Sequence, residues 1–467
     1  MVLVDTWRGG GSGHEGIVMR TRLALLAVVG ALASVVPAEA QTLRQALVGA
    51  YNSNPDLLAQ RARLRGVDET VAQQVANWRP QIRATTAVGR AELNSTTRAI
   101  GQQELTQRQF GLTVAQPLFR GGKTLAGTRG AESDVQAERA VLLDREQSTL
   151  LTTVTAYSDY VRDLATVELR RNNVNVLNQQ LVATQARFRV GELTRTDVAQ
   201  AESRLEGTRA DLIAAEAQAA NSRAAYIRVV GMAPGRLEAP PLLGSVPPTE
   251  DAAITAGQER APGAIAAWHR VRSAEYGVEN AFGDLLPTIN LVGSWTRNYD
   301  QQIRGDRIDT KSIQVQASVP IFQNGAEHSR VRAAKQTVGQ RLAELDGARR
   351  LAAETAVRAF RQYESARARV ASISAQIRAA GVALEGVRQE AQVGSRTTLD
   401  VLNAEQELLN AQVQLVAAQR DVVVGHYTLL SATGQLTARG LALPVEYYDE
   451  ERNYKNVRDV WIGTSIK

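Results

Sequence analysis

Apolar residues recur along this chain with two periods in turn. From residue 42 to residue 77, Leu43, Leu47, Ala50, Leu57, Leu58, Leu64, Val67 and Val71 come at three-to-four spacing, which predicts a helix. Asn54-Pro55 interrupts it, because proline lacks a backbone donor and biases its predecessor away from helix, and Trp78-Arg79-Pro80 ends it. The period then drops to two. Ile82, Ala84, Thr86 and Val88 fall on one face, a polar turn follows at Asn94-Ser95-Thr96, and Phe110, Leu112 and Val114 alternate with Gln109, Gly111, Thr113 and Ala115. This predicts a β-hairpin with strands of about ten residues, long enough to span a membrane when tilted. Gln116-Pro117-Leu118-Phe119-Arg120-Gly121-Gly122 closes the alternation. No proline then occurs from 118 to 233, in a stretch rich in Ala, Gln, Arg, Glu and Leu. A helix from Gly122 to Val190 would extend about 100 Å at about 1.5 Å per residue.

The whole scheme occurs twice. Pro117 and Pro320 differ by 203 positions, as do Gly191 and Gly394, Asp197 and Asp400, Glu202 and Glu405, and Gly231 and Gly434. A constant offset over such a length marks an internal duplication. The second copy alternates Ile289, Leu291, Gly293 and Trp295, then Ile313, Val315, Ala317 and Val319 opposite Gln314, Gln316 and Ser318. One apolar face and one face of glutamine and serine suit a wall between lipid and water. Its long helices carry a coiled-coil seam: Val370, Ile373, Ile377, Ala380, Leu384, Val387 and Ala391, then Leu399, Leu402, Leu409, Val413, Val416, Val423, Tyr427 and Leu430, with Gln406 and Arg420 as polar insertions. Val190-Gly191 and Val393-Gly394 read as hairpin tips, with Thr196-Asp197 and residues 397 to 400 capping the returning helices. The expected organisation is a leader over 1–40, a first repeat over 41–242, a proline-rich linker over 243–249, a second repeat over 250–440 and a polar, tyrosine-rich tail over 441–467.

The leader changes the picture by naming a compartment. Met19-Arg20-Thr21-Arg22 is a basic start, residues 23–36 are apolar but short for a membrane helix, and Ala38-Glu39-Ala40 fits a cleavage site, so Met19 is the expected true start and export the expected fate. Gly11-Ser12-Gly13-His14-Glu15-Gly16 matches a dinucleotide fingerprint but lacks the strand and helix that would give it meaning. The chain of 467 residues is 44% hydrophobic with a net charge of +6, and its cations are scattered rather than gathered into a nucleic-acid patch. It has no cysteine, which excludes disulfides, thiolate metal sites and a lipidated N-terminal cysteine.

Little here asks for catalysis. Gly122-Lys123-Thr124 sits where a phosphate-binding loop would, but Pro117 occupies the required glycine and the second copy has Ala326 in place of the lysine. His269, His328 and His426 lie in unrelated segments, and no nucleophile elbow is present. Neither an enzyme nor a cofactor is expected.

Four strands cannot close a barrel, and an open edge in lipid leaves backbone groups unpaired at several kcal/mol each. If these hairpins enter a membrane, the chain must oligomerise. Two copies would give a side-chain-filled barrel of eight strands, and three would give twelve strands and a lumen. The rival from sequence is a periplasmic coiled-coil adaptor or scaffold with no pore, which salt or mild shearing would release from membranes whereas a barrel would need detergent.

The chain resembles the TolC-like outer membrane factors over nearly all of residues 41–467. The resemblance rests on Thr42-Leu43-x-x-Ala46-Leu47-x-x-Ala50-Tyr51-x-x-Asn54-Pro55, on both proline-phenylalanine-glycine strand ends and on both V-G-x-x-x-x-x-D tips. It implies a mixed α and β membrane protein, a homotrimer whose twelve-stranded β-barrel in the outer membrane continues into a twelve-helix α-barrel across the periplasm. It also implies a passive exit duct for efflux or type I secretion, docked to a periplasmic adaptor and to an inner-membrane transporter of RND, ABC or MFS type. At the periplasmic entrance, Arg396 matches an arginine that bonds to the neighbouring hairpin, where Thr196 and Asp197 match its partners. Asp400 matches the first of two aspartate rings, which would favour multivalent cations. The chain departs from the pattern at Ala391, where a gate tyrosine would stand, and at Asn403, where the second aspartate would, implying a looser gate. Val190, Gly191, Val393 and Gly394 are the expected adaptor-docking tips.

Overall fold

The computed structural model describes residues 41–94 and 101–466. The leader, its start and its cleavage site, and residues 95–100 of the first hairpin's expected turn, lie outside the described residues.

Thr42 caps α1 (Leu43–Ser53) through a reciprocal box with Gln45, and Asn54 caps α2 (Pro55–Val75), with Pro55 in the first turn where its missing donor costs nothing. A 3-10 turn at Ala76–Trp78 then delivers the chain to the sheet. β1 (Gln81–Asn94) pairs with β2 (Gln102–Arg120), β2 with β3 (Thr288–Tyr299) and β3 with β4 (Arg307–Ser318), all antiparallel. These strands run 14, 19, 12 and 12 residues, longer than the ten the alternation suggests. Nor does β2 end at Pro117: the register slips between Pro117 and Phe119, and such a bulge admits a residue without an N–H. In the second copy β4 ends at Ser318, short of Pro320.

Register gathers most of the apolar positions of the four strands on one face. Ile82 pairs with Val114, Val114 with Gly293 and Gly293 with Ile313; in the next row Ala84, Leu112 and Trp295 follow, with Lys311 as the β4 member. Leu291 and Val315 extend that face at one end. At the other, an Arg297–Asp309 pair at 2.6 Å closes it, beside an edge-on Phe110–Tyr299 contact. The face is uncovered: Ile82, Ile313 and Val315 are 70%, 83% and 65% exposed. Among the described residues β1 and β4 each pair on one side only, so both edges of the sheet are open.

From β2 the chain passes through Gly121 (φ +62°) and Gly122 (φ +78°) into α3 (Lys123–Arg189), 67 residues long. It returns as α4 (Arg195–Val230), ended by left-handed Gly231. α5 (Glu250–Arg260) and α6 (Pro262–Phe282) lead to β3, and after β4 come α7 (Ala326–Gln392), also 67 residues, and α8 (Thr398–Ala432). The left-handed pair at 121 and 122 is echoed by Asn324 and Gly325 at φ +53° and +80°. The seam is partly buried within the chain: Ile373, Leu384, Leu402 and Leu409 are covered, whereas Ile377, Val387, Val413 and Val416 keep some exposure.

The main core lies at mid-height, where Leu43, Leu47, Tyr51, Leu57 and Leu64 meet Tyr157, Tyr226 and Tyr427 of the long helices. Tyr157 Oη lies 2.8 Å from the Glu238 carbonyl and Tyr427 Oη donates to the Pro241 carbonyl at 2.8 Å, so the proline-rich connection is strapped to this core. Burial pushes both phenols up to about 12. The tail, which its sequence pattern left without an element, is ordered. It crosses this core through Leu441 and Leu443 and forms a short α9 (Arg452–Val457) against α2.

Candidate functional site

The two hairpin tips are built alike. Glu192 N donates to the Arg187 carbonyl and Ser395 N to the Glu390 carbonyl, each at 3.0 Å, while Gly191 and Gly394 take φ +82° and +83°. This left-handed ending satisfies the last carbonyls of α3 and α7, and glycine is the residue that adopts it without steric cost. Each tip exposes the valine before its glycine, Val190 at 71% and Val393 at 81%.

The returning helices start with matched capping boxes. Thr397 N and Oγ1 donate to Asp400 Oδ2 at 3.0 and 2.8 Å, and Asp400 N donates to Thr397 Oγ1 at 3.2 Å. In the first tip Thr194 plays the same part for Asp197, at 2.9, 2.7 and 3.3 Å. The cap is therefore Thr194 and not Thr196, which is exposed within the first turn. The 203 offset from Thr397 was the signal that names it. Hydrogen bonds from the Thr194 side chain and backbone hold Asp197 below the usual carboxylate range. Asp400 is lowered by the Thr397 backbone, then its hydroxyl, then the charge of Arg396. Both carboxylates are thus anionic at neutral pH, at helix ends that favour negative charge.

Each tip also carries one ion pair from helix end to loop, with its polarity reversed between the copies. Arg187 holds Glu192 at 2.9 Å, and Glu390 holds Arg396 at 2.9 Å. Within the chain Arg396 thus contacts its own hairpin; Thr196 and Asp197 are not its partners there. All four of these side chains are about half exposed, and exposed pairs of this kind contribute about 0–1 kcal/mol, so either can exchange partners at low cost.

The two hairpins do meet within the chain, a few residues further along the returning helices. Arg204 of α4 donates to Asn403 Oδ1 of α8 at 2.9 Å, beside a buried cluster of Leu177, Leu205 and Leu402. Arg388 reaches Glu405, whose side chain is 6% exposed, at 2.9 Å. Sequence reasoning missed Arg204, and its duplicate position holds Glu407, so the repeat gives no hint of it. Asn403 is therefore tied to the other hairpin. Ala391 is half-buried near the end of α7.

The remaining chemical readings resolve into structure. Lys123 Nζ contacts Asp284 Oδ1 at 2.6 Å, joining the start of α3 to the turn before β3. His426 Nε2 lies 2.9 Å from the Leu243 carbonyl inside the core. Among the described residues no group of His, Cys, Asp and Glu is arranged to hold a metal ion, and no helix is long and apolar enough to cross a membrane.

The outer membrane efflux protein family model matches residues 46–232 and 256–435, one stretch in each repeat. The chain is 38% identical to the outer membrane efflux protein BepC of Brucella suis over 425 residues, covering 91% of this chain and 92% of that protein. It is 27% identical to the alkaline protease secretion protein AprF of Pseudomonas aeruginosa, over 71% of this chain and 70% of that one. The outer membrane channel CmeC of Campylobacter jejuni superposes with a TM-score of 0.76 at 17% identity, over 89% of each chain.

Proposed function

Because this chain belongs to the outer membrane efflux protein family and is an outer membrane export channel, we propose that three copies close into one duct. Its open sheets would join edge to edge as a twelve-stranded barrel, and the long hairpins would pack as a periplasmic cylinder. The observation that carries this reading is the sheet itself. A largely apolar face with two edges unpaired among the described residues is stable in lipid only when the edges pair with other copies, and twelve strands leave a lumen. A pore-less scaffold would need neither feature. Native mass spectrometry of detergent-extracted protein is the test: a species of three chains is expected, and a monomer released from membranes by salt alone would overturn it.

The tips are the proposed entrance and docking site. Val190-Gly191 and Val393-Gly394 would meet a periplasmic adaptor linked to an inner-membrane transporter of RND, ABC or MFS type. Thr196, Asp197, Arg396, Asp400 and Asn403 would set the closed state. The weak Arg396–Glu390 pair supports this, since the guanidinium can exchange onto a neighbouring tip, and Arg204–Asn403 ties the hairpins within each chain. Three Asp400 carboxylates around one axis would bind a multivalent cation. Asp400→Ala is expected to reduce channel block by hexamminecobalt at least tenfold in half-blocking concentration; equal block in both proteins would remove Asp400 from the entrance. As a passive duct the chain needs no catalytic residue, metal or cofactor, and its cargo would be chosen by the transporter.

A further inference from the structure

The tail after the second repeat follows one path along the outside of the first. Tyr448 N donates to Tyr51 Oη at 3.0 Å, Asn453 Nδ2 donates to Asp68 Oδ2 at 2.7 Å, and Arg79 Nη1 donates to the Val460 carbonyl at 2.5 Å. The partners advance from α1 through α2 to the turn that enters β1. Between them, Tyr454 and Arg458 both reach Glu132 of α3, at 3.1 and 3.4 Å. The tail therefore climbs from the mid-height core to the foot of the sheet, and at its last anchor the Arg79 guanidinium lies 4.8 Å from the centre of the Trp461 ring.

Beyond that anchor the apolar side chains turn out of the protein. Trp461 is 67% exposed and Ile462 94%. A segment serving only to cover α2 would bury such side chains against it. The place they reach is specific. Gln116, on the same face of β2 as Leu112 and Val114, donates through Nε2 to the Trp78 carbonyl at 2.8 Å, so the turn that holds the tail lies on the apolar side of the sheet. Trp78 is itself half exposed, and the apolar rows begin two residues past Pro80, at Ile82.

We propose that this tail is a strap that seats Trp461 and Ile462 in the periplasmic phospholipid leaflet of the outer membrane, continuous with the lipid-facing band of the barrel. Indole is amphipathic and collects at membrane–water boundaries, where its ring meets acyl chains and its N–H meets headgroups. Arg79 beneath the ring places a planar cation at the level of the phosphates. The strap thereby couples the membrane boundary to the mid-height core, through bonds that also hold α2 against α3.

This inference rests on the barrel reading, and one experiment separates the two. Full-length proteins retaining only Trp461 or only Trp295, with the other tryptophans replaced by phenylalanine, are reconstituted in phosphatidylcholine vesicles carrying brominated acyl chains. Trp295 lies in the apolar row with Leu112 and reports on the barrel. Circular dichroism confirms that both proteins keep their helix content. Bromine is expected to quench Trp295 and to quench Trp461 by roughly half or more, as befits an interfacial ring. Quenching of Trp295 without Trp461 overturns the strap. Two states produce that result: a water-exposed Trp461, then quenched by iodide, or a ring covered by a neighbouring copy, then protected from both. Absence of quenching at Trp295 overturns the barrel itself.

Discussion

Ile313→Arg is expected to abolish stable insertion of the sheet, whereas Gln314→Arg, one residue away, leaves it intact. Ile313 sits mid-strand on β4, opposite Gly293, in the row that also holds Val114 and Ile82, and it is 83% exposed in the single chain. If that exposure is to lipid, an arginine there costs about 2–4 kcal/mol at the bilayer midplane, a factor of roughly 30 to several hundred. A closed barrel would carry the change once per copy. Gln314 points to the other face, among Ser312, Gln316 and Ser318, where a cation meets water and alters only selectivity. Urea titration of both variants folded into vesicles checks this. Equal losses would mean that the two faces are not lipid and lumen.

Gly121→Ala is expected to be the most damaging single-methyl change in the junction between sheet and helix. Gly121 has φ +62°, and a Cβ there would be driven into the Gly283 carbonyl oxygen and within 2.9 Å of Leu286 Cβ. The left-handed backbone costs a side chain about 1–2 kcal/mol and overpacking about 1–3 kcal/mol, and neither wall is a side chain that can swing aside. The repeat supplies the control. Asn324, at the duplicate position, is exposed with φ +53°, so Asn324→Ala meets only the backbone term. Thermal unfolding should show a shift several times larger for Gly121→Ala. Matching shifts would contradict the close approach of the two turns.

What sequence made legible was whatever repeats or alternates. The 203 offset located the two tips, the two 67-residue helices and the left-handed ends, because each copy independently obeys the same capping and turn chemistry. Period-two alternation located the strands but stopped short of their ends. Residues such as Arg90, Glu92 and Glu104 are polar, yet they sit in the ladder because pairing register, not hydrophobicity, carries the strand outward. The capping threonine was misplaced by two positions in the first copy, since Thr194 and Thr196 are chemically alike and only the geometry separates them. Arg204–Asn403 and the path of the tail were invisible for a different reason. Both join segments far apart in the chain through contacts that leave no periodic trace, and the tail's order depends on surfaces of α2 and α3 that exist only once those helices have packed.

Single-channel conductance of the purified protein in planar bilayers, beside Arg396→Ser, tests the account most directly. An export duct closed at its tips should show small, brief openings, and loss of the Arg396 guanidinium should make them larger and longer-lived. No conductance from either protein, once insertion is verified, would contradict the channel; identical conductance in wild type and in a variant of the same oligomeric mass would contradict the role of the tips.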